Sequence, residues 1–176
     1  MPDARSPKRI VLATDGDGPL RAALEEQVRQ LGLGATVTYR GLVAPDRVEH
    51  ELADAWAAVA VVPSMWAEPL GLVAIEAILR GVPVIASAAA GLGETVEPGV
   101  SGLLFANGDE EALAGRLEEV ATARAFPTHA VPDGAVRRLT ERHEPERHTA
   151  RLRAILRSLA VAPASTRRAT HPALPE

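Results

Sequence analysis

PSMWAEPLGLVAIEAILRGVPVIAS, running from Pro63 to Ser87, decides how the rest of this chain is read. It has the pattern of a buried strand's end, a loop, a helix and the next buried strand. The helix, from about Gly71 to Arg80, is apolar on nearly every side, from Leu72 and Val73 through Ile75 to Ile78 and Leu79. A helix of that kind is normally buried. Glu76 is therefore expected in surroundings where a carboxylate is costly without a partner. Glu68 lies in the preceding loop, an E-x7-E spacing.

Side chains on a helix lean toward its N-terminus, so Glu76 is expected to point back toward the loop that carries Glu68. The first N–H groups of the helix, near Gly71, Leu72 and Val73, lack an intrahelical partner. A glycine at such a mouth lets an anion, above all a phosphate, come close. Carboxylates on either side can accept from sugar hydroxyls. The combination points to a nucleotide sugar: hydroxyls to Glu68 and Glu76, diphosphate to the helix. The plainer alternative is a surface glutamate and a helix–helix ion pair.

Upstream, Arg9–Thr14 is a short apolar run and reads as a buried strand, followed by the turn Asp15-Gly16-Asp17-Gly18-Pro19. A helix is expected from about Pro19 to Leu31, with Leu20, Leu24 and Val28 four apart and a C-cap at Gly32 or Gly34. Ala35–Arg40 is the second strand, ending at Gly41. Asp46–Ala57 has helical spacing, and Ala58–Val62 is the third strand. Strand and helix alternate, which argues an α/β fold with a parallel sheet. The glycine-rich and acidic stretches all fall at carboxyl ends of strands, where such folds take ligands. Asp15-x-Asp17 lacks the later acids of a calcium loop, and a turn explains it better than a metal site. No metal is expected.

Taken together, PS-x-W-x-EPLGLVAIEA-x-x-x-GVPVIAS resembles the donor-binding signature of retaining family 4 glycosyltransferases with the GT-B fold. GDGPL at Gly16–Leu20, VTYRGLV at Val37–Val43, GLGET at Gly91–Thr95 and SGLLF at Ser101–Phe105 resemble further landmarks in the same order. The pattern departs at Ala90, where two consecutive glycines are usual, and at Gly93, where proline often precedes the glutamate. The resemblance implies a Rossmann-like parallel sheet with flanking helices, the C-terminal half of a GT-B enzyme. It implies hexosyl transfer from a nucleotide sugar with retention, no obligatory metal and no cofactor besides the substrate. Glu68 then meets sugar hydroxyls as the catalytic carboxylate and Glu76 the ribose diol. Gly71, Leu72 and Val73 hold the diphosphate, Gly16 and Gly18 approach the donor, and main chain at Gly41 and Val43 faces the base.

The family's acceptor-binding half has no counterpart here, nor has the opening strand and helix of its donor half. That strand is central in the usual order, so the strands at Arg9–Thr14 and Ala58–Val62 lose the neighbour between them. Three outcomes are open: the two pair directly into a five-stranded sheet, another chain supplies the strand, or the piece folds poorly. A chain that needs a partner carrying the acceptor domain, or one that only binds a nucleotide sugar, is the alternative to a working enzyme.

The 176 residues have room for one ordinary domain. Residues 1–8 are expected to be a disordered entry, 9–160 the nucleotide-sugar-binding domain and 161–176 a disordered tail rich in Pro, Ala, Ser and Thr. The chain has no cysteine, hence no disulfide or thiol chemistry. It shows no signal peptide and no apolar run of membrane-spanning length, so cytoplasm is the simplest location. The net charge of −4 is uneven: nine of the arginines lie between Arg137 and Arg168. After a helix at Asp109–Ala123, with Asp109 expected as its cap, and a loop-like stretch to Gly134, residues 146–160 form a basic amphipathic helix with Leu152, Ile155, Leu156 and Leu159 on one stripe. Packing on its own protein is the first reading, with peripheral membrane contact second. Nucleic acid fits poorly, because no aromatic residue interleaves the arginines. Trp66 is expected to shape the pocket or to cover the core, and the five histidines to be solvated.

Overall fold

The computed structural model describes residues 12–15, 17–44, 47 and 59–161. The helix expected at Asp46–Ala57, apart from Arg47, together with Gly16, His50, His171 and both termini, lies outside them. The chain divides after Val136 into two units.

The first unit begins with strand β1 (Leu12–Asp15), helix α1 (Arg21–Gln30) and strand β2 (Val37–Gly41). β1 and β2 pair in parallel. Strand β3 (Ala60–Val62), helix α2 (Leu72–Leu79), strand β4 (Val84–Ser87), helix α3 (Gly91–Thr95), strand β5 (Gly102–Phe105) and helix α4 (Glu110–Ala121) follow. Here β4 lies between β3 and β5, again parallel on both sides. The architecture is the expected α/β one, but in two sheets: β1–β2, and β3–β4–β5. The five-stranded sheet that direct β1–β3 pairing would give is not formed among the described strands.

All four residues of β4 are buried, as befits a strand with a neighbour on each edge. Ile85, Leu103, Phe105, Val120 and Phe126 form a core cluster, and Leu113 and Leu117 of α4 pack against it. α4 starts where Asp109 accepts from the Ala112 amide at 2.9 Å, the side-chain cap the sequence predicts. On its inner side α2 buries Ala74, Ile75, Ala77 and Ile78. Glu76 is exposed, on the open face with Leu72 and Val73. The expected buried carboxylate is therefore not present. α2 packs on β3, β4 and α3 from one side only, so a helix of apolar composition keeps one face open. α1 likewise buries none of its residues, and Leu20 and Leu24 of its predicted stripe are exposed.

Helix α5 (Asp133–Arg142) starts within the stretch read as a loop. Pro132 conceals it in the sequence, yet proline before a helix's first turn costs nothing, because its missing N–H would be unpaired there anyway. α5 leads through a short turn into helix α6 (Pro145–Val161). His148 is exposed as expected, but His143 is half-buried, with Nδ1 at 2.9 Å from the Leu139 carbonyl. His129 is half-buried too, and its Nδ1 is enclosed without a hydrogen-bond partner.

Candidate functional site

Parallel pairing decides where the site lies. The register Ala60↔Val84 and Val84↔Gly102 brings the carboxyl ends of β3, β4 and β5 to one edge of the sheet. The loop from Pro63 to Gly71, the turn into α3 and the turn into α4 meet there. Four carbonyls of that first loop are each held by a donor. The buried Ser87 hydroxyl donates to Ser64 O at 2.7 Å, and Asn107 Nδ2 to Met65 O at 3.0 Å. The Gly91 amide donates to Glu68 O at 2.8 Å, and the Thr95 hydroxyl to Leu70 O at 3.0 Å. A loop held from β4, α3 and the β5–α4 turn has little freedom, whatever its own sequence prefers.

The Glu68 carboxylate is half-buried and accepts from the Ser64 hydroxyl at 2.6 Å. That is the length of a charge-assisted hydrogen bond. Ser64, Ser87, Thr95 and Asn107 were not singled out by sequence reasoning. Ser64, four residues before Glu68, and Ser87, at the end of an apolar strand, were the available signals.

Gly71 heads α2 with φ +72°, ψ +55°, a left-handed conformation that favours glycine. A Cβ there would lie 2.5 Å from Leu92 Cδ2. The first helical bond runs from Ile75 N to Gly71 O at 3.1 Å, so the amides of Leu72, Val73 and Ala74 precede it. Leu72 and Val73 are exposed, each at 60%. Glu76 stands one turn on from Leu72, on the same open face of α2 as Leu72 and Val73. At Gly91 a Cβ would sit 2.2 Å from Pro69 O, so α3 and the loop touch backbone to backbone. The bend just before is made by Ala90 at φ +39°, ψ −116°. Ala90 adopts the turn that glycine would make without strain. Trp66 and Met65 are exposed at the same loop, so Trp66 does not cover the core.

Gly18, Gly41 and Val43 gather at the ends of the other sheet. The Gly18 amide donates to Asp17 Oδ1 at 2.8 Å, and the Arg21 amide to Gly18 O at 3.1 Å. Arg21 runs on to Glu25 at 2.8 Å, and its Nη1 would lie 3.4 Å from a Cβ placed on Gly41. The hydrogen bond to Glu25, then the nearby Asp17, hold the Arg21 guanidinium above its ordinary range. Asp17 pairs with Arg21 at 3.6 Å. Gly41 is buried and Val43 half-buried.

Comparison with known proteins agrees with this arrangement. A family model described as "Glycosyl transferases group 1" matches residues 3–155. A D-inositol 3-phosphate glycosyltransferase of Rhodococcus erythropolis is 43% identical over 117 residues, 65% of this chain and 25% of that protein. The sulfoquinovosyl transferase SQD2 of Arabidopsis thaliana is 32% identical over 87% of this chain and 28% of its own length. Among solved structures, sucrose-phosphate synthase from Thermosynechococcus elongatus is 34% identical with a TM-score of 0.61, covering 88% of this chain and 39% of that one. Anabaena HepE in complex with UDP is 25% identical with a TM-score of 0.65, covering 85% of this chain and 41% of that one. The chain thus spans about a quarter of the curated relatives it matches. With the family model covering most of its length and a parallel α/β architecture beneath it, this chain belongs to the group 1 glycosyl transferases.

Proposed function

We propose that this chain is the donor-binding portion of a retaining, family 4 glycosyltransferase that works in the cytoplasm. It moves a hexosyl group from a nucleotide diphosphate sugar to an acceptor. The carrying observation is the Glu68 carboxylate, held by Ser64 at 2.6 Å beside a helix headed by Gly71. Glu68 meets sugar hydroxyls at the reacting ring. The amides near Gly71, Leu72 and Val73 hold the diphosphate and stabilise its charge as it departs. Glu76 takes the ribose diol, and its exposure leaves it open to do so. Main chain at Gly41 and Val43 faces the base, with Gly16 and Gly18 near the donor. Structures of Anabaena HepE with UDP and glucose support a donor of this class.

Calorimetric titration with UDP- and GDP-sugars tests the reading. Donor binding is expected for one of the two, weakened roughly tenfold or more in Glu76→Ala, as for loss of a hydrogen bond to a charged group. Equal affinity in wild type and variant would remove Glu76 from the site. A second reading, a half that needs a partner chain carrying the acceptor domain, is favoured by the separation of β1–β2 from β3–β4–β5. Sugar transfer by the purified chain alone excludes it.

A further inference from the structure

Helix α3 grips the segment that leads into α2 at both of its ends. The Gly91 amide donates to Glu68 O at 2.8 Å, and the Thr95 hydroxyl to Leu70 O at 3.0 Å. Gly91 and Thr95 are four apart, so they lie on one face of α3. Leu92, fully buried, fills the space in front of Gly71. Pro69, between the two held carbonyls, has no N–H that needs a partner.

Thr95 is 6% exposed, one of three buried polar side chains among the described residues. Of the other two, Ser87 holds Ser64 O, and Ser101 accepts from the Glu97 amide at 2.9 Å. Thr95 alone of the three acts on the peptide that opens α2. A trans peptide is planar, with its carbonyl and its N–H on opposite sides. Once Leu70 O is held by Thr95, the Gly71 N–H must point away from Thr95. Gly71 is buried, and its amide donates to no described residue. A buried N–H without an acceptor is rare in folded proteins. An anion at the head of α2 would supply the acceptor. Of the amides near that head, the one on Gly71 is nearest in sequence to Glu68, the sugar end of the proposed site. It therefore falls to the phosphate that carries the sugar.

We propose that Thr95 is a positioning residue for the donor: by holding Leu70 O, it aims the Gly71 N–H at the sugar-bearing phosphate of a nucleoside diphosphate sugar. Thr95 itself touches no donor atom. The inference rests on the donor-site reading above and adds to it the group that orients the phosphate contact.

Thr95→Val keeps the size of the side chain and removes the hydroxyl, whereas Thr95→Ser keeps the hydroxyl. Calorimetry on the full chain compares UDP with UMP and GDP with GMP, for wild type and both variants, each below its own unfolding midpoint. Thr95→Val is expected to lower affinity for the diphosphate that wild type binds roughly tenfold, and to leave the matching monophosphate nearly unchanged. Thr95→Ser is expected to bind both as wild type does. Equal losses for diphosphate and monophosphate mean that Thr95 acts only on the fold, and they overturn the proposal while the donor reading stands. No loss in Thr95→Val, or a Thr95→Ser variant as weak as Thr95→Val, has the same consequence. A wild type that binds neither diphosphate overturns the donor reading, and this inference with it.

Discussion

The Ser64 hydroxyl donates to the Glu68 carboxylate at 2.6 Å, while Ser64's own carbonyl accepts from the buried Ser87 hydroxyl. The orientation of the candidate catalytic carboxylate is thereby tied to the end of the central strand β4. Ser64→Ala frees Glu68 to rotate. On the proposed function, affinity for the free nucleoside diphosphate is expected to stay unchanged while affinity for its sugar conjugate falls roughly tenfold. Parallel titrations of both ligands read the split, and equal losses for both would mean that Ser64 acts only on the fold.

Gly71 combines a left-handed backbone with a Cβ position 2.5 Å from a fully buried leucine, Leu92. Gly71→Ala must strain the backbone and push the buried Leu92 side chain out of its place. A loss of about 2–4 kcal/mol of stability is expected, read from the urea midpoint. A variant within ~0.5 kcal/mol of wild type would show that the head of α2 is not built as described.

Ala90 makes the reverse prediction. At φ +39°, ψ −116° its side chain costs conformational energy that glycine does not. Ala90→Gly is expected to raise stability by about 1 kcal/mol, even after the greater freedom of glycine in the unfolded chain is counted. A lower thermal midpoint for the variant would contradict this.

Asp109 caps α4 through its bond to the Ala112 amide. Asp109→Ala should cost about 1 kcal/mol, and Asp109→Asn much less, because the amide oxygen can still accept. Comparing the two by chemical denaturation checks the cap itself rather than general damage at the turn.

The alternation of apolar runs with turn residues was enough to place the strands and most of the helices, because strand and helix periods are properties of neighbouring residues. Asp109 as a cap, Gly71 as the head of α2 and the cluster of loops at one sheet edge were legible for the same reason. Exposure was not. Glu76 was read as buried from the composition of its own helix, but burial depends on what packs against each face, and only one face of α2 is covered. Helix α5 was hidden behind Pro132, a residue that reads as a breaker until its place relative to the first turn is known. The hold of Ser87, Gly91, Thr95 and Asn107 on one loop joins residues up to 42 positions apart. No local pattern announces such bonds, since they exist only once parallel strands have brought the three turns together. The division into two sheets is likewise a matter of which edges meet, and that was decided by tertiary structure alone.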